Sequence, residues 1–421
     1  MSSSTATSLL VIAVAAVLAP VLAELLGRFR IPSVLFELLL GIVIGPAVLG
    51  LAHVDGFVQG LSTLGLAFLF FVAGYEIDFA RLRGSPLNRG LAGWAVSLVL
   101  GFSFAAVLVL TSFVESDLLI GLALTTTAIG TLLPMLHDRG LLGTGFGDDL
   151  AAAGAVGEFG PIVAVTVLLG SLNAGGGGVL VVALVVPAAG VAWRAAGPQP
   201  PRFVEVMQRH LSTSTQLPVR VIILLITAMV FVAAALGLDM LLGAFAAGLI
   251  GRLLFRPEQS HALEHKLESI GYGFLIPVFF IVSGMRFDAD ALVTDVSIDV
   301  LLVAFLALFL VVRGLPALGV YRRLLPRRER AAMAVLQSTA LPLLVVITQI
   351  GVATHRMRPS NATALVGAGM VSVLVFPLVG FALLGRVTGA PPEGTEVPPT
   401  LQPEDEPEPP PEELDPTRDA V

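Results

Sequence analysis

One carboxylate sits where carboxylates are rarely kept. The stretch from Ala151 to Gly170, AAAGAVGEFGPIVAVTVLLG, is apolar except for Glu158 near its middle, and with its flanks it runs from about Phe146 to Ser171. That is enough helix to cross a hydrocarbon core about 30 Å thick. An ionisable side chain at that depth is costly, and it is found mostly where it faces a bundle interior or a wet cavity and handles ions or protons. Gly157 before it and Gly160-Pro161 after it are expected to thin the helix and release backbone groups that only protein or water can satisfy there. Glu158 is therefore the candidate site for a cation or a proton. The plainer alternative is a protonated Glu that only hydrogen-bonds a neighbouring helix.

Two further stretches carry oxygen in apolar surroundings. One is Leu124 to Pro134, with Thr125, Thr126, Thr127, Gly130 and Thr131; the other is Gln337-Ser338-Thr339-Ala340-Leu341-Pro342. Each sets hydroxyl or amide side chains beside Gly or Pro in mid-span. If the helix unwinds there, carbonyls and half-helix ends face the site and suit a hard cation. The alternative is an intact helix whose Thr and Ser hydroxyls back-bond to carbonyls.

Composition sets the class. Hydrophobic residues make up 56% of the 421 and charged residues only 13%, too little polar surface for a soluble globular chain. With no cysteine, disulfides and thiol chemistry are excluded. No nucleophile and base set or metal-ligand cluster is legible, no cofactor is called for, and an enzyme is not expected. Nothing points to nucleic acid. The net charge of −7 conceals a tail, residues 390–421, that holds ten acidic residues, one Arg and ten prolines, so the rest of the chain carries −7 − (−9) = +2. That tail is expected to be disordered.

Apolar runs give about thirteen candidate spans, at 6–27, 33–51, 58–79, 91–113, 118–136, 146–171, 176–193, 218–237, 239–255, 271–287, 298–316, 331–352 and 360–385. The chain is thus expected to be an all-α polytopic membrane protein. Alternating the loops puts 21 of the 24 basic residues on one side, counting the run from Arg313 to Arg330 as a loop and leaving Arg286, Arg356 and Arg358 elsewhere. This bias predicts an N-terminus outside and a cytoplasmic C-terminus. The chain also repeats itself with inverted topology. Phe70 to Asp78 resembles Phe279 to Asp288, and Glu37 to Gly41 resembles Asp239 to Gly243. Such repeats mark secondary transporters. The expected layout is an exchanger domain over 1–389, with one repeat at about 6–171, a linker span at about 176–193 and a second repeat at about 218–385.

Several ordered motifs resemble the monovalent cation/proton antiporter superfamily, in its second, bacterial-type branch. They are Ile31 to Glu37 with Gly45-Pro46, Leu69 to Asp78, the Thr-rich fifth span, Pro277 to Asp288, and Leu336 to Gly351. The resemblance implies a sodium/proton antiporter fold with two crossed discontinuous helices, and a homodimer whose core domain moves against a dimerisation domain. It also implies an acidic pair in the sixth span. Here that pair reads Gly157-Glu158, so the second carboxylate is kept and the first side chain is gone. Arg286 falls where the family often has a basic residue and is expected to act as a fixed counter-charge, with an interfacial arginine as the alternative. Asp148 and Asp149 are expected to cap a helix. His261 and His265, spaced i and i+4, are expected on a solvated surface.

Together these readings predict exchange of a monovalent cation for protons in the cell membrane. Na⁺ is favoured, with Li⁺ or K⁺ as alternative cargo. Proton and cation would compete for Glu158, with Thr126 and Thr127 as cation ligands and Thr125, Gly157, Arg286, Gln337, Ser338 and Thr339 in support. A potassium efflux system or a cation channel of the same fold is the competing reading.

Overall fold

The computed structural model describes residues 3–26, 31–75, 84–111, 117–173, 216–235, 240–254, 263, 266–289 and 296–384. The expected seventh span, the acidic tail, Glu76, Asp78, His261 and His265 lie outside the described residues. The helices are α1 (Ser3–Leu25), α2 (Ser33–Ile44), α3 (Gly56–Tyr75), α4 (Ser85–Leu110), α5 (Asp117–Leu124), α6 (Ile129–Asp138) and α7 (Gly145–Asn173). After the undescribed stretch come α8 (Leu217–Ala235), α9 (Met240–Leu254), α10 (Lys266–Met285), α11 (Val296–Val320), α12 (Arg327–Gln337), α13 (Pro342–Ala353) and α14 (Pro359–Leu384). Seven of these helices, and α12 with α13 taken together as an eighth span, are long and apolar enough to cross a membrane. Large apolar side chains such as Leu10, Val17, Val99, Leu224 and Val303 stand exposed on their outer faces, as lipid contact requires.

The helices pack as two sets. In the first, α2 lies along α10 and α1, and α3 lies along α9 and α10, with α8 against α9. In the second, α4 packs on α5, α7 and α11, α12 packs on α7 and α11, α6 packs on α7, and α13 packs on α5 and α7. Small residues let the first set close. A Cβ at Gly41 would stand 2.1 Å from the Ile281 carbonyl oxygen, and one at Gly284 would stand 2.2 Å from that of Leu38. Helices in lipid associate by such close backbone approach, since the solvent is as apolar as the side chains. The two sets share an apolar core in which Leu35, Leu38, Phe70, Phe279 and Phe280 meet Ile162, Leu343, Leu344 and Val346. A polar contact also joins them, from Gln349 Nε2 on α13 to Ser283 Oγ on α10 at 2.6 Å.

Both expected breaks are present. The fifth span divides into α5 and α6 around Thr125–Ala128, and the twelfth into α12 and α13 around Ser338–Leu341. At the first, Thr125 and Thr126 bend hydroxyl and amide alike onto the carbonyls three residues back, Leu122 and Ala123, which tightens and ends α5. At the second, Ser338 and Thr339 close the same three-residue turns, and Pro342 opens α13 while holding Leu341 out of helical geometry at φ −154°.

Candidate ion site

Glu158 lies at the start of a half-helix. Its Oε2 accepts the backbone N–H of Ile129 at 3.0 Å and that of Gly130 at 3.2 Å. These are orphan donors of the first turn of α6, and Ala128, at the N-cap, supplies no side-chain cap. A carboxylate from α7 does that work instead, with the partial positive charge of the helix end favouring its anionic form. Glu158 is half-buried and lines a cavity of about 850 Å³ between the two helix sets. Pro20, Glu24, Ser33, Leu69, Tyr272 and Phe280 face it from the first set. Gly130, Thr131, Met135 and Pro342 face it from the second.

The two breaks touch behind this carboxylate. The N–H of Ala128 donates to the Thr339 carbonyl at 2.7 Å, and Thr127 Oγ1 donates to the Gln337 carbonyl at 2.6 Å. Gln337 and Thr339 thus support the crossing through their carbonyls, while Ser338 turns its N–H back to Val335 and its hydroxyl back to Ala334. Thr339 Oγ1 is buried with no hydrogen-bond partner.

α7 itself does not unwind at Gly157, Gly160 and Pro161, but a released backbone group of the kind expected is present, since the Gly157 carbonyl accepts the Thr127 N–H at 3.0 Å. It runs unbroken from Gly145 to Asn173. The glycines serve close packing: a Cβ at Gly160 would meet the Trp94 ring at 2.6 Å, and one at Gly157 would meet Arg313 Nη2 at 2.5 Å and Thr127 Oγ1 at 2.7 Å. Asp148 and Asp149 do not cap it either. Thr144 Oγ1 takes the Gly147 N–H at 3.1 Å, while Asp149 pairs with Arg89 of α4 at 2.6 Å. Asp148 is exposed in the first turn.

Arg313 departs furthest from expectation. Counted with a basic loop in the sequence, it lies inside α11 and is 1% exposed. Its Nε donates to Thr127 Oγ1 at 2.8 Å, Nη2 to the Ala153 carbonyl at 3.1 Å and Nη1 to Ser97 Oγ at 3.4 Å. The signal was present, because the apolar sequence resumes after it as GLPALGV before the next basic residue, Arg322.

The remaining residues lie apart from Glu158. Arg286 is exposed at the end of α10 and bonds the Gln59 side chain. Gln59 precedes Leu69, the cavity-lining residue of α3, by ten residues, about 15 Å of helix. Thr125 and Thr126 are fully buried, with their hydroxyls engaged by α5. Thr131, part of the Thr-rich stretch but not among the expected ligands, stands in the cavity with Glu158. Glu37 is buried on α2, its Oε2 without a hydrogen-bond partner.

The family model for the transmembrane sodium/hydrogen exchanger matches residues 12–385. The chain belongs to the sodium/hydrogen exchanger family. Among its relatives, the putative Na⁺/H⁺ antiporter YjbQ of Bacillus subtilis is 27% identical over 401 residues, 90% of this chain and 63% of YjbQ. The chain thus spans just under two thirds of that relative's length. The Na⁺/H⁺-K⁺ antiporter GerN of Bacillus cereus is 28% identical over 284 residues, 64% of this chain and 69% of GerN. The solved sodium proton antiporter MjNhaP1 of Methanocaldococcus jannaschii shares the fold of this chain, with a TM-score of 0.63, 16% identity, and coverage of 90% and 98% of the two chains. A multi-pass membrane protein of the cation/proton antiporter class accounts for the helices and the family match together.

Proposed function

We propose that this exchanger trades a monovalent cation for protons at Glu158, with Na⁺ as its favoured cargo and Li⁺ also accepted. The observation that carries this reading is a carboxylate held at a half-helix N-terminus while lining a cavity between two helix sets. A proton or a cation neutralises that carboxylate, and only one of them at a time. Movement of one helix set against the other is the alternating-access step, permitted when Glu158 is neutralised. The cation's oxygen ligands are Glu158, the Thr131 hydroxyl and carbonyls around Thr126 and Thr127.

The N-terminus lies outside and the C-terminus in the cytoplasm, so that the cavity, lined by the end of α1 and the start of α2, opens inward. Removing Arg313 from the loop count leaves the basic bias intact. The protein works as a homodimer, with α1, α3 and the helices packed on them as the static half, and its physiological role is pH and sodium homeostasis. Potassium is the second reading, favoured by the likeness to GerN, whose name includes K⁺. Reconstituted protein given Na⁺, Li⁺ and K⁺ singly at several pH values decides between them. Cation-dependent proton flux confirms the proposal, and cation flux without proton counter-flux, as in a channel, refutes it.

A further inference from the structure

A polar contact crosses the seam between the two helix sets, beyond the inner end of the ion cavity. Gln349 Nε2 of α13 donates to Ser283 Oγ of α10 at 2.6 Å, and that hydroxyl donates in turn to the Phe279 carbonyl, also at 2.6 Å. Its depth follows from the helices that carry it. Tyr272 and Phe280 line the cavity from α10 and Pro342 from α13. Ser283 lies three residues past Phe280 and Gln349 seven past Pro342, about 4.5 Å and 10 Å of helix. On α2 the lining residues are Ser33 and Val34, whereas Gly284, next to Ser283, closes against Leu38 and Gly41, further along that helix. The contact therefore sits in the wall that separates the cavity from the opposite face. We infer that Gln349 and Ser283 form a latch that holds this wall shut, and that the latch parts whenever the ion site is presented to the other side of the membrane.

The argument rests on the alternating-access reading of the site. Around the latch the seam is apolar, with Phe279 and Phe280 of α10 packed in one core with Leu343, Val345 and Val346 of α13. Ser283 is 7% exposed and Gln349 half-buried. In such surroundings a hydrogen bond is strong and an unmet donor is costly, so the amide and the hydroxyl favour the closed seam. When the sets move apart, water solvates both groups and the preference vanishes. A contact made in one state only shifts the population toward that state, and its loss shifts the population away. The hold also reaches the crossing. Gln349 belongs to the half-helix that starts at the second break, where the Thr339 carbonyl accepts from Ala128, so fixing α13 to α10 restrains the element that carries the crossed segments.

The chain contains no cysteine, so introduced thiols report without background. Gln349→Ala removes the tie. A cysteine in place of Val346, which is 1% exposed and one turn from Gln349 on the cavity side, should then be labelled several-fold faster by a membrane-impermeant methanethiosulfonate added from the face opposite the cavity. Ser283→Ala should raise that rate likewise, and Ser283→Thr, which keeps the hydroxyl, should not. In the second arm, Ser283→Cys with Gln349→Cys is joined by a short bis-methanethiosulfonate linker. Na⁺/H⁺ exchange in proteoliposomes should stop on linking and return with dithiothreitol. If the paired variant does not fold, the labelling arm alone decides. Unchanged labelling in folded Gln349→Ala, or linked protein that exchanges as fast as unlinked, overturns the inference. A wild-type protein that exchanges no alkali cation for protons removes the antiport reading instead, and the labelling arm, which needs no transported ion, still tests the latch.

Discussion

Thr127 gives its backbone N–H to the carbonyl of Gly157 at 3.0 Å, a bond that joins the broken fifth span to the unbroken α7. That carbonyl is available because of Pro161. Four residues further along α7, proline has no N–H to return to it. A helix-interior proline, ordinarily a defect, thus frees an acceptor beside Glu158 and keeps the Thr-rich segment unwound against it. Pro161→Ala would restore the intrahelical donor and compete for Gly157. The expected outcome is unchanged or higher thermal stability, since proline costs about 3 kcal/mol in a helix interior, with exchange reduced several-fold. Melting curves and proteoliposome flux on one preparation check it; full activity would show that the Thr127 bond is dispensable.

Glu158→Gln should abolish cation-coupled proton flux while the protein stays folded. The amide has the volume of the carboxylate, and its oxygen still accepts from Ile129 and Gly130, but it cannot cycle charge. Glu158→Asp should retain partial activity, because the shorter carboxylate must reach the same two N–H groups, 3.0 and 3.2 Å away in the wild type, from one methylene further back. Wild-type exchange by the Gln variant would dismiss Glu158 as the ion site.

What the sequence disclosed depended on contrast with an apolar background. Glu158 stood out as one charge in a long apolar run, and the two breaks stood out because Thr, Ser, Gly and Pro clustered in mid-span. Arg313 stood out less, since an arginine near the margin of an apolar run reads as the start of a loop unless the apolar GLPALGV that follows it is weighed. Hydroxyl roles were equally illegible. Thr126 and Thr131 are chemically alike and five residues apart, yet one is sealed against α5 and the other faces the cavity. That difference comes from where the chain unwinds.

Arg286→Ala should leave the pH profile of exchange unchanged. Its guanidinium is held by Gln59 at the far end of α3 from the cavity-lining Leu69. Apparent Na⁺ affinity should likewise stay at the wild-type value. A profile that moves would return the counter-charge role to Arg286.

Gly284→Ala tests the first helix set as a rigid body. The added Cβ would stand 2.2 Å from the Leu38 carbonyl oxygen, a backbone atom that cannot step aside alone. Overpacking of this kind costs about 1–3 kcal/mol. A lower melting temperature is expected, with the apparent Na⁺ affinity of the folded fraction unchanged, because the contact lies on the α2–α10 seam and not on the cavity.

The last prediction is stoichiometry. With Gly157 in place of the first acid, α7 brings one titratable side chain to the site, and Arg313, which cannot release its proton, brings no second. One cation should therefore exchange for one proton, electroneutrally. The other carboxylates to be tested are Glu24, which lines the same cavity from α1, and Glu37, buried on α2 and outside that lining. Glu24 is exposed and stands on α1, across the cavity from α7. Clamping the liposome potential with valinomycin and K⁺ separates the cases. For electroneutral exchange the null-flux point depends on the Na⁺ and proton gradients alone. Any second proton moved per cycle makes that point follow the membrane potential, by about 2.3 kcal/mol per charge per 100 mV. If it does so, Glu24→Gln and Glu37→Gln tested in turn identify the second carrier, and the one-carboxylate mechanism is wrong.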